Sequence, residues 1–326
     1  MYTQIAKILK RNQSVLLFTG IGPDSKGKLS YYENGVLRGD PLPFSPEQFA
    51  ECNLPVVYED YFIERIVSAP FLIILGGGHV AVQLAKVANI IGFKTVVVDE
   101  RDEFANKERF PEALSIINKP FNEALLSLDF PNSYYVIVTR GHQDDRQCLE
   151  SILKKDFTYC GMIGSRKKVK LVFEKLLEAG FSSELISRVH SPIGLDIGAN
   201  TPEEIAISIA AELISVKNNG AQGTVWDDSL IHAILSSESP YAMVTLISKK
   251  GSSPRSPGAR MIVLRDGTVV SSIGGGYGEY EACMHAQAMM KSDEKFQRYT
   301  CHMTNDDAAR KGMICGGTVD VIIQIV

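Results

Sequence analysis

The feature that most constrains this fold is an apolar strand that runs directly into glycines and then into a helix. Phe71-Leu-Ile-Ile-Leu75 is continuously apolar, Gly76-Gly77-Gly78 follows it, and residues 79–91 have helical periodicity. Continuously apolar strands are typical of parallel sheets that are buried on both faces. The order strand, glycines, helix therefore predicts the first unit of an open α/β sheet.

Strands and helices continue to alternate through residues 69–219. Residues 95–98, 134–138 and 159–163 are further apolar runs, and Thr201-Pro-Glu-Glu204 is a capping box with proline at the first helical position. This alternation predicts an α/β fold with a Rossmann-like, doubly wound parallel sheet, covered by helices on both faces.

Smaller α+β modules are expected on either side of this domain. Residues 1–68 contain a strand and a hairpin signal at Asn34-Gly35, and residues 226–326 contain a strand, a glycine-rich loop and a hairpin signal at Asp266-Gly267. Two interpretations stay open. Residues 1–68 are a shortened copy of the closing module, or two small units simply both contain hairpins.

Composition and charge exclude several classes of protein. The 326 residues carry 34 Lys+Arg against 38 Asp+Glu, a net charge of −4, which does not favour a nucleic-acid partner. No apolar run approaches the roughly 18 residues that a membrane helix needs, and the first residues lack the apolar core of a signal peptide. The six cysteines form no CxxC pair, so we expect a cytoplasmic protein with free thiols.

The first glycine cluster has the pattern of a nucleotide-binding loop. Gly76, Gly78 and Ala81 fit G-x-G-x-x-A, in which the glycines permit a tight turn and the approach of a pyrophosphate. Asp99 ends the next strand, where an acid suits two ribose hydroxyls. The sequence therefore predicts a nucleotide site, with NAD as one candidate ligand. The alternative is a doubly wound sheet whose site is degenerate or holds something else.

Ligand-binding residues are also expected where the later strands end. Arg140, Ser165 and Arg166 follow the third and fourth apolar runs and are candidates for phosphate contact. His142 is a candidate acid or base, although a single histidine without a visible partner is weak evidence. The ordinary alternatives are a solvated helix face for the basic run that includes Arg166, and a plain helix-start acid for Asp145.

A second glycine cluster lies in the closing module. A proline-stiffened loop carries hydroxyls and arginines, and further on a strand again leads through glycines into a helix. Amides at a helix start bind anions, and arginine supplies the counter-charge. The alternative is a tight turn beside a surface loop. The candidate cofactor-binding residues here are Ser253, Arg255, Arg260, Gly274, Gly275, Gly276 and Glu279.

One cysteine stands out by its neighbours. Cys315 lies between Gly312 and Gly316, so a ligand can approach it closely, and a thiolate is a soft metal ligand. No histidine or acid joins it at zinc-like spacing. A small buried cysteine is the ordinary alternative.

These motifs resemble the XdhC/CoxI family, the xanthine dehydrogenase accessory factors. The resemblance covers residues 70–326 and rests on LGGGHVA, VVVDER, VTRGHQDD, MIGSRKK, SPIGLDIGANTPEEIA, GSSPRSPGARM, SIGGGYGE and TNDDAARKGMICGG. It implies a factor that binds molybdenum cofactor and assists its maturation and insertion into a xanthine dehydrogenase-type molybdenum hydroxylase. It also implies a homodimer, and a Cys315 that contacts molybdenum or its sulfur.

Two departures from the family pattern affect this expectation. The family usually places the Ser-Pro-Arg module before the Rossmann domain, whereas here it follows. In many relatives the glycine cluster ends in cysteine, whereas Tyr277 stands at that position here. If that cysteine handles sulfur or metal, cofactor handling in this protein is altered.

Two other functions compete with this interpretation. The first is an NAD-dependent oxidoreductase that uses Gly76, Gly78, Ala81 and Asp99, with His142 as the acid or base. The second is a nucleotide-sensing or assembly module that carries out no chemistry.

Overall fold

The chain begins with a helix and a small antiparallel sheet. The computed structural model describes residues 1–130, 132–220, 223–251, 255–303 and 317–326. Asn34 and Gly35 turn one strand into the next, as predicted, with positive φ at both residues. Residues 56–68 form two strands joined by a turn at Glu59, whose φ is 49°. The elements are α1 (Tyr2–Leu9), β1 (Val15–Gly20), β2 (Leu29–Glu33), β3 (Val36–Gly39), a 3-10 turn (Pro46–Phe49), β4 (Val56–Tyr58) and β5 (Tyr61–Ser68).

The middle of the chain is a parallel sheet covered by helices, which confirms the predicted Rossmann-like fold. The described strands lie in the order β11-β10-β9-β6-β7-β8, the doubly wound arrangement with its switch point between β6 and β9. The elements are β6 (Phe71–Leu75), α2 (His79–Ile90), β7 (Lys94–Val98), β8 (Ser115–Ile117), α3 (Phe121–Ser127), β9 (Ser133–Ile137), α4 (His142–Ile152), β10 (Tyr159–Met162), α5 (Arg166–Glu178), α6 (Ser183–Ser187), β11 (Val189–His190) and α7 (Pro202–Asn219).

The start of α7 shows how directly local sequence sets one of these boundaries. The Thr201 hydroxyl accepts from the Glu204 N–H, and the Glu204 carboxylate accepts from the Thr201 N–H. This is the predicted capping box, with Pro202 as the first helical residue. The helix then packs along α2 over one face of the sheet.

The closing part of the chain forms a second antiparallel sheet and two helices. A short strand precedes it, and this strand pairs in parallel with β5 of the opening segment. The elements are β12 (Thr224–Trp226), α8 (Asp228–Ser236), β13 (Ala242–Gly251), β14 (Arg260–Val263), β15 (Val269–Ser271), α9 (Gly276–Met289), β16 (Phe296–Met303) and β17 (Gly317–Ile325).

The opening and closing sheets repeat one arrangement. The first runs β3-β2-β1-β5 with β4 paired to β5, and the second runs β15-β14-β13-β17-β16. Each of these neighbouring pairs is antiparallel. Along the chain, helix α9 comes between β15 and β16, and the 3-10 turn comes at the corresponding point of the opening segment, between β3 and β4. The correspondence favours the interpretation of residues 1–68 as a shortened copy of the closing module.

The two sheets belong to one compact unit, Met1–Ser68 with Ala221–Val326, and Ala69–Gly220 forms the other. Within the first unit, apolar side chains of α1, α8 and both sheets share one core, which includes Leu17, Trp226 and Met243. A buried ion pair between Glu64 of β5 and Arg260 of β14 also joins the sheets. The residues 1–68 therefore fold against the end of the chain, although the second unit separates them in sequence.

Candidate functional site

The glycine loop after β6 has the backbone geometry that its motif predicts. Gly76 has φ of 111°, and a Cβ there would lie 2.5 Å from the carbonyl oxygen of Val138, so only glycine fits. A Cβ on Gly78 would meet no described atom within 4 Å, and Gly78 caps α2 without a side-chain hydrogen bond. Ala81 is fully buried against the sheet. The first turn of α2 therefore presents open backbone amides.

Asp99 lies at the end of β7, as predicted, but its carboxylate is already fully hydrogen-bonded. Oδ2 accepts from Gly77 N–H at 2.9 Å and from Arg101 Nη2 at 2.8 Å, while Oδ1 accepts from Arg101 N–H and Nε at 3.1 and 2.8 Å. Asp99 is 1% exposed. Four donors occupy all the lone-pair positions of a carboxylate, so Asp99 has none left for ribose hydroxyls in this arrangement.

The electrostatics of Asp99 follow from these contacts. Burial by itself raises the pKa of this carboxyl, but the hydrogen bonds from Arg101 and Gly77 outweigh it and hold the pKa below its ordinary value. The Arg101 guanidinium also lies 3.7 Å from the ring centroid of Phe104. Asp99 and Arg101 therefore act as a charged clamp on the glycine loop.

The segment after β7 covers the middle of the glycine loop. A Cβ on Gly77 would lie 2.3 Å from the carbonyl oxygen of Phe104, and Arg109 Nη2 donates to the Gly77 carbonyl at 2.9 Å. The chain itself thus fills the space beside β7. A second contact joins the loops after the two strands that flank β6. Arg140, which follows β9, donates from Nη2 to the carboxylate of Glu100, which follows β7, at 3.3 Å.

The predicted residues after β9 and β10 lie together around one cavity of about 740 Å³. Arg140, His142 and Ser165 line it, as predicted for the carboxyl edge of the sheet. Lys167, Lys168 and Lys170, which the sequence shows only as members of a basic run, line it as well. One acid, Glu174, is also in the wall. The four cations outnumber the one acid within this wall, and carboxylates pair with three of them: Arg140 with Glu100 and Asp144, Lys168 with Asp145, and Lys170 with Glu174.

A buried carboxylate orients one of these lysines. Asp145, fully buried in the first turn of α4, contacts Lys168 Nζ and accepts from the Thr139 hydroxyl at 2.6 Å. Burial raises the pKa of Asp145, and the contacts with Lys168 and Thr139 oppose that rise only in part. The sequence does not reveal this role, because an acid in the first turn of a helix is ordinarily solvated.

A second cavity, of about 550 Å³, lies on the other side of the α5 start. Ser165 lines both cavities, and the predicted residue Arg166 lines this second one. Ser165 also caps α5, because its hydroxyl accepts from the Lys168 N–H at 3.3 Å. Apolar side chains supply much of the remaining wall: Ile163, Pro192, Ile193, Leu195, Ile197 and Ile205.

A carboxylate beneath this second cavity fixes the position of its wall. Glu212 of α7 accepts from Gly194 N–H at 2.8 Å and from the Tyr159 hydroxyl at 2.6 Å, and it contacts His190 Nδ1 at 2.9 Å. Burial raises the pKa of Glu212, but these partners outweigh it and lower the pKa below its ordinary value. Gly194 must be glycine, since its φ is 93° and a Cβ would lie 2.3 Å from Ser208 Oγ.

The glycine cluster of the closing module is held by its own glutamate. Gly274, Gly275 and Gly276 all have positive φ, and Glu279 Oε2 accepts from Gly275 N–H at 3.0 Å. The same oxygen accepts from Ser272 Oγ and Ile273 N–H. Glu279, predicted to bind cofactor, therefore fixes the shape of this loop. A Cβ on Gly275 or Gly276 would meet no described atom within 4 Å.

The two arginines of this module lie in different environments. Arg255 is exposed, as an anion-binding role requires. Arg260, predicted to bind phosphate, is instead buried and donates to Glu64, with 4% of its surface exposed. That arrangement gives it a structural partner in place of the predicted ligand. Ser253 and Cys315 lie outside the described residues, so the predicted thiol contact with molybdenum stays a prediction.

Two negative findings apply to the part of the chain that the structure describes. Those residues contain no group of three or more His, Cys, Asp or Glu side chains that would hold a metal ion. None of their helices has both the length and the apolar character to cross a membrane. Tyr277, in the first turn of α9, packs partly buried against the apolar core of the closing sheet.

Two family models match the chain. The XdhC Rossmann domain matches residues 72–213, and the XdhC and CoxI family matches residues 234–300. Together they cover more than half of the sequence. The Rossmann match precedes the other, which is the order that the motifs predict.

Similar proteins agree with these matches. A Bacillus subtilis (strain 168) protein, named as a probable subunit of xanthine dehydrogenase, is 35% identical over 162 residues, which are 49% of this chain and 47% of that protein. The Escherichia coli (strain K12) protein YqeB, described as uncharacterized, is 37% identical over 161 residues, 49% of this chain and 30% of its own. The matched region thus spans less than half of either relative.

A solved structure shares the fold. The crystal structure of a protein described as a xanthine dehydrogenase from Bacillus halodurans superposes with a TM-score of 0.57 and 26% sequence identity. The match covers 72% of this chain and 70% of that one. It supports the fold and the family relationship found from the sequence.

Proposed function

The chain belongs to the XdhC and CoxI family, and on that basis we propose that it is an accessory factor of a xanthine dehydrogenase-type molybdenum hydroxylase. In this role it binds molybdenum cofactor as cargo and assists its maturation and insertion. The observation that carries the proposal is the presence of both family modules in one chain, at residues 72–213 and 234–300. A free-standing Rossmann dehydrogenase would not need the second module.

The chemistry of the cargo agrees with the sites described above. Molybdenum cofactor carries a phosphate, or a nucleotide diphosphate, beside a metal dithiolene. The cavity lined by Arg140, Lys167 and Lys168 supplies positive charge for such an anion. Cys315, which lies outside the described residues, is proposed separately as the thiol for the metal or its sulfur. The partner hydroxylase receives the loaded cofactor.

Copurification tests this function directly. We expect molybdenum and pterin to copurify with the protein from cells that make molybdenum cofactor, and to be absent when its synthesis is blocked. Mass spectrometry of the metal and fluorescence of the oxidised pterin measure the two components. Protein from producing cells that contains neither would contradict the proposal.

The thiol role has its own matched control. Cys315→Ser should lower the molybdenum and pterin contents together, because the dithiolene of the pterin holds the metal and both leave as one cofactor. Cys52→Ser, which removes an exposed thiol, should change neither. Full molybdenum loading of Cys315→Ser would remove the proposed thiol contact.

An NAD-dependent oxidoreductase is the second candidate, favoured by the glycine loop at Gly76 and Gly78 and by the doubly wound strand order. The saturated carboxylate of Asp99 opposes it, since no oxygen is left for the ribose. A rise in melting temperature at millimolar NAD would support this candidate, because a bound ligand stabilises the folded state.

A further inference from the structure

We propose that the Rossmann-like unit binds a phosphorylated heterocycle of mononucleotide size, placed across the start of α5. The phosphate lies in the cavity lined by Arg140, Lys167 and Lys168, and the ring lies against the apolar side chains of the neighbouring cavity. A dinucleotide is not the ligand. The identification of the ring as a pterin rests on the proposed function, whereas the location and the size of the ligand rest on the structure.

The chain itself occupies one half of the usual dinucleotide site. In a doubly wound sheet the two halves of a dinucleotide lie on either side of the switch point. On the β7 side, Arg101 occupies the carboxylate of Asp99, and the Phe104 carbonyl lies against Gly77. A second nucleotide would have to displace both contacts.

The other half of the sheet edge is open and lined by cationic side chains. The starts of α4 and α5 both face the 740 Å³ cavity, which Arg140, Lys167, Lys168 and Lys170 line. Among the described residues, Glu174 is the acid of that wall and lies 4.0 Å from Lys170, while Glu100 and Asp144 pair with Arg140 from outside it. The ion pair between Asp145 and Lys168 holds the lysine in place before a ligand arrives. A preorganised lysine loses less side-chain entropy on binding an anion.

The adjoining cavity supplies a surface for a ring. Its wall includes Ile193, Leu195 and Ile197, and its volume is about 550 Å³. Typical small-molecule sites have roughly 300–1,000 Å³ and combine an apolar lining with a few polar groups. Because Ser165 lines both cavities, one ligand can place its phosphate on one side of this residue and its ring on the other.

Calorimetric titration of the full-length protein tests the proposal with three probes: 6-hydroxymethylpterin monophosphate, 6-hydroxymethylpterin and NAD. We expect the phosphate ester to bind at least tenfold more tightly than either of the other two. Lys167→Gln and Arg140→Gln should each weaken the ester about tenfold, since each removes one charged contact to the phosphate. Both side chains are exposed, so the fold tolerates these changes.

Two further variants test whether a loss of affinity is specific to the cavities. One changes the wall of the second cavity, and the other changes a charge outside both. Ile197→Ser, at a side chain 55% exposed, should weaken binding of the ester several-fold and leave competition by inorganic phosphate unchanged. Lys175→Gln, which removes a charge paired with Glu178 at the far end of the same helix, should leave all three affinities unchanged.

Three results would overturn the proposal: unchanged ester affinity in Lys167→Gln and Arg140→Gln, tighter binding of NAD than of the ester, or no binding of the ester by the wild type. The copurification experiment distinguishes these from failure of the proposed function. Normal molybdenum and pterin loading together with any of these results would place the cargo elsewhere in the chain. Absent loading would contradict the accessory role itself.

Discussion

At the scale of single residues, Asp99 shows what a motif does and does not determine. The spacing from Gly78 correctly places an acid at the end of β7, because strand length and crossover length fix that position. The partner of the acid is not fixed in this way. Arg101 follows by only two residues, and nothing in a short polar loop indicates that its side chain turns back to the carboxylate.

We predict that Asp99→Asn lowers the free energy of unfolding by about 1–3 kcal/mol, since the partly exposed Arg101 side chain and the Gly77 N–H lose their ionised acceptor. Chemical denaturation at neutral pH measures the change. Asp102→Asn, at an exposed neighbouring position, is the matched control and should change stability little.

The pH dependence of the same pair follows from the lowered pKa of Asp99. A carboxyl with a lower pKa in the folded state stabilises the protein above its ordinary pKa and loses that contribution as pH falls. The difference between wild type and Asp99→Asn should therefore be constant near neutrality and shrink below about pH 5. If the difference in unfolding free energy grew as the pH fell, the proposed stabilisation by the Asp99–Arg101 contact would be contradicted.

At the scale of elements, strands with continuous apolar runs were predictable, and those defined by distant partners were not. β6 begins and ends at the predicted residues, because its sequence alone specifies a buried strand. The sequence pattern does not predict β12 or β16. β12 is a three-residue strand that exists because β5 pairs with it across a long stretch of intervening chain, and β16 has mixed polarity.

The buried position of Arg260 is likewise not predictable from the local sequence. Its loop is rich in serine and proline, which favours an exposed binding role, yet Glu64 lies 196 residues away in sequence and holds the side chain inside the sheets. Burial lowers the pKa of this guanidinium, but the attraction of Glu64 outweighs that effect and raises it. No local pattern reveals a pair of this kind.

We predict that Glu64→Gln lowers the free energy of unfolding of its unit by about 3–5 kcal/mol, because the charge of Arg260 stays buried without a counter-charge. The combined change Glu64→Leu with Arg260→Met should recover most of that loss. Trp226, the single tryptophan, is buried and lies 5.3 Å from the Arg260 guanidinium, so its fluorescence reports this transition.

The matched control for this pair is an ion pair on the surface. Lys175→Gln breaks the exposed contact with Glu178 and should cost no more than about 1 kcal/mol. If Lys175→Gln and Glu64→Gln lowered the free energy of unfolding equally, burial of the Glu64–Arg260 pair would not increase the cost of breaking it.

At the scale of the whole molecule, two cooperative units are expected where the sequence indicates three segments. The core of residues 1–68 is not self-contained, because α1 packs in one cluster with α8, β13 and β14. The second unit has its own two apolar layers on either face of the parallel sheet. Stability should therefore follow the units and not the order of segments along the chain.

We predict that Leu17→Ala accelerates hydrogen exchange in both ends of the chain together. Leu17 is fully buried in the core that α1 and α8 share, and such a truncation costs roughly 2–5 kcal/mol. Protected amides of β1 and β5 should lose protection in parallel with those of β13 and β17, while the strands β6, β9 and β10 keep theirs. Leu72→Ala, equally buried in the second unit, is the reciprocal control and should affect only residues 69–220. Exchange that increases in residues 1–68 alone would show that this segment opens independently, and that the shared core does not make the two ends one cooperative unit.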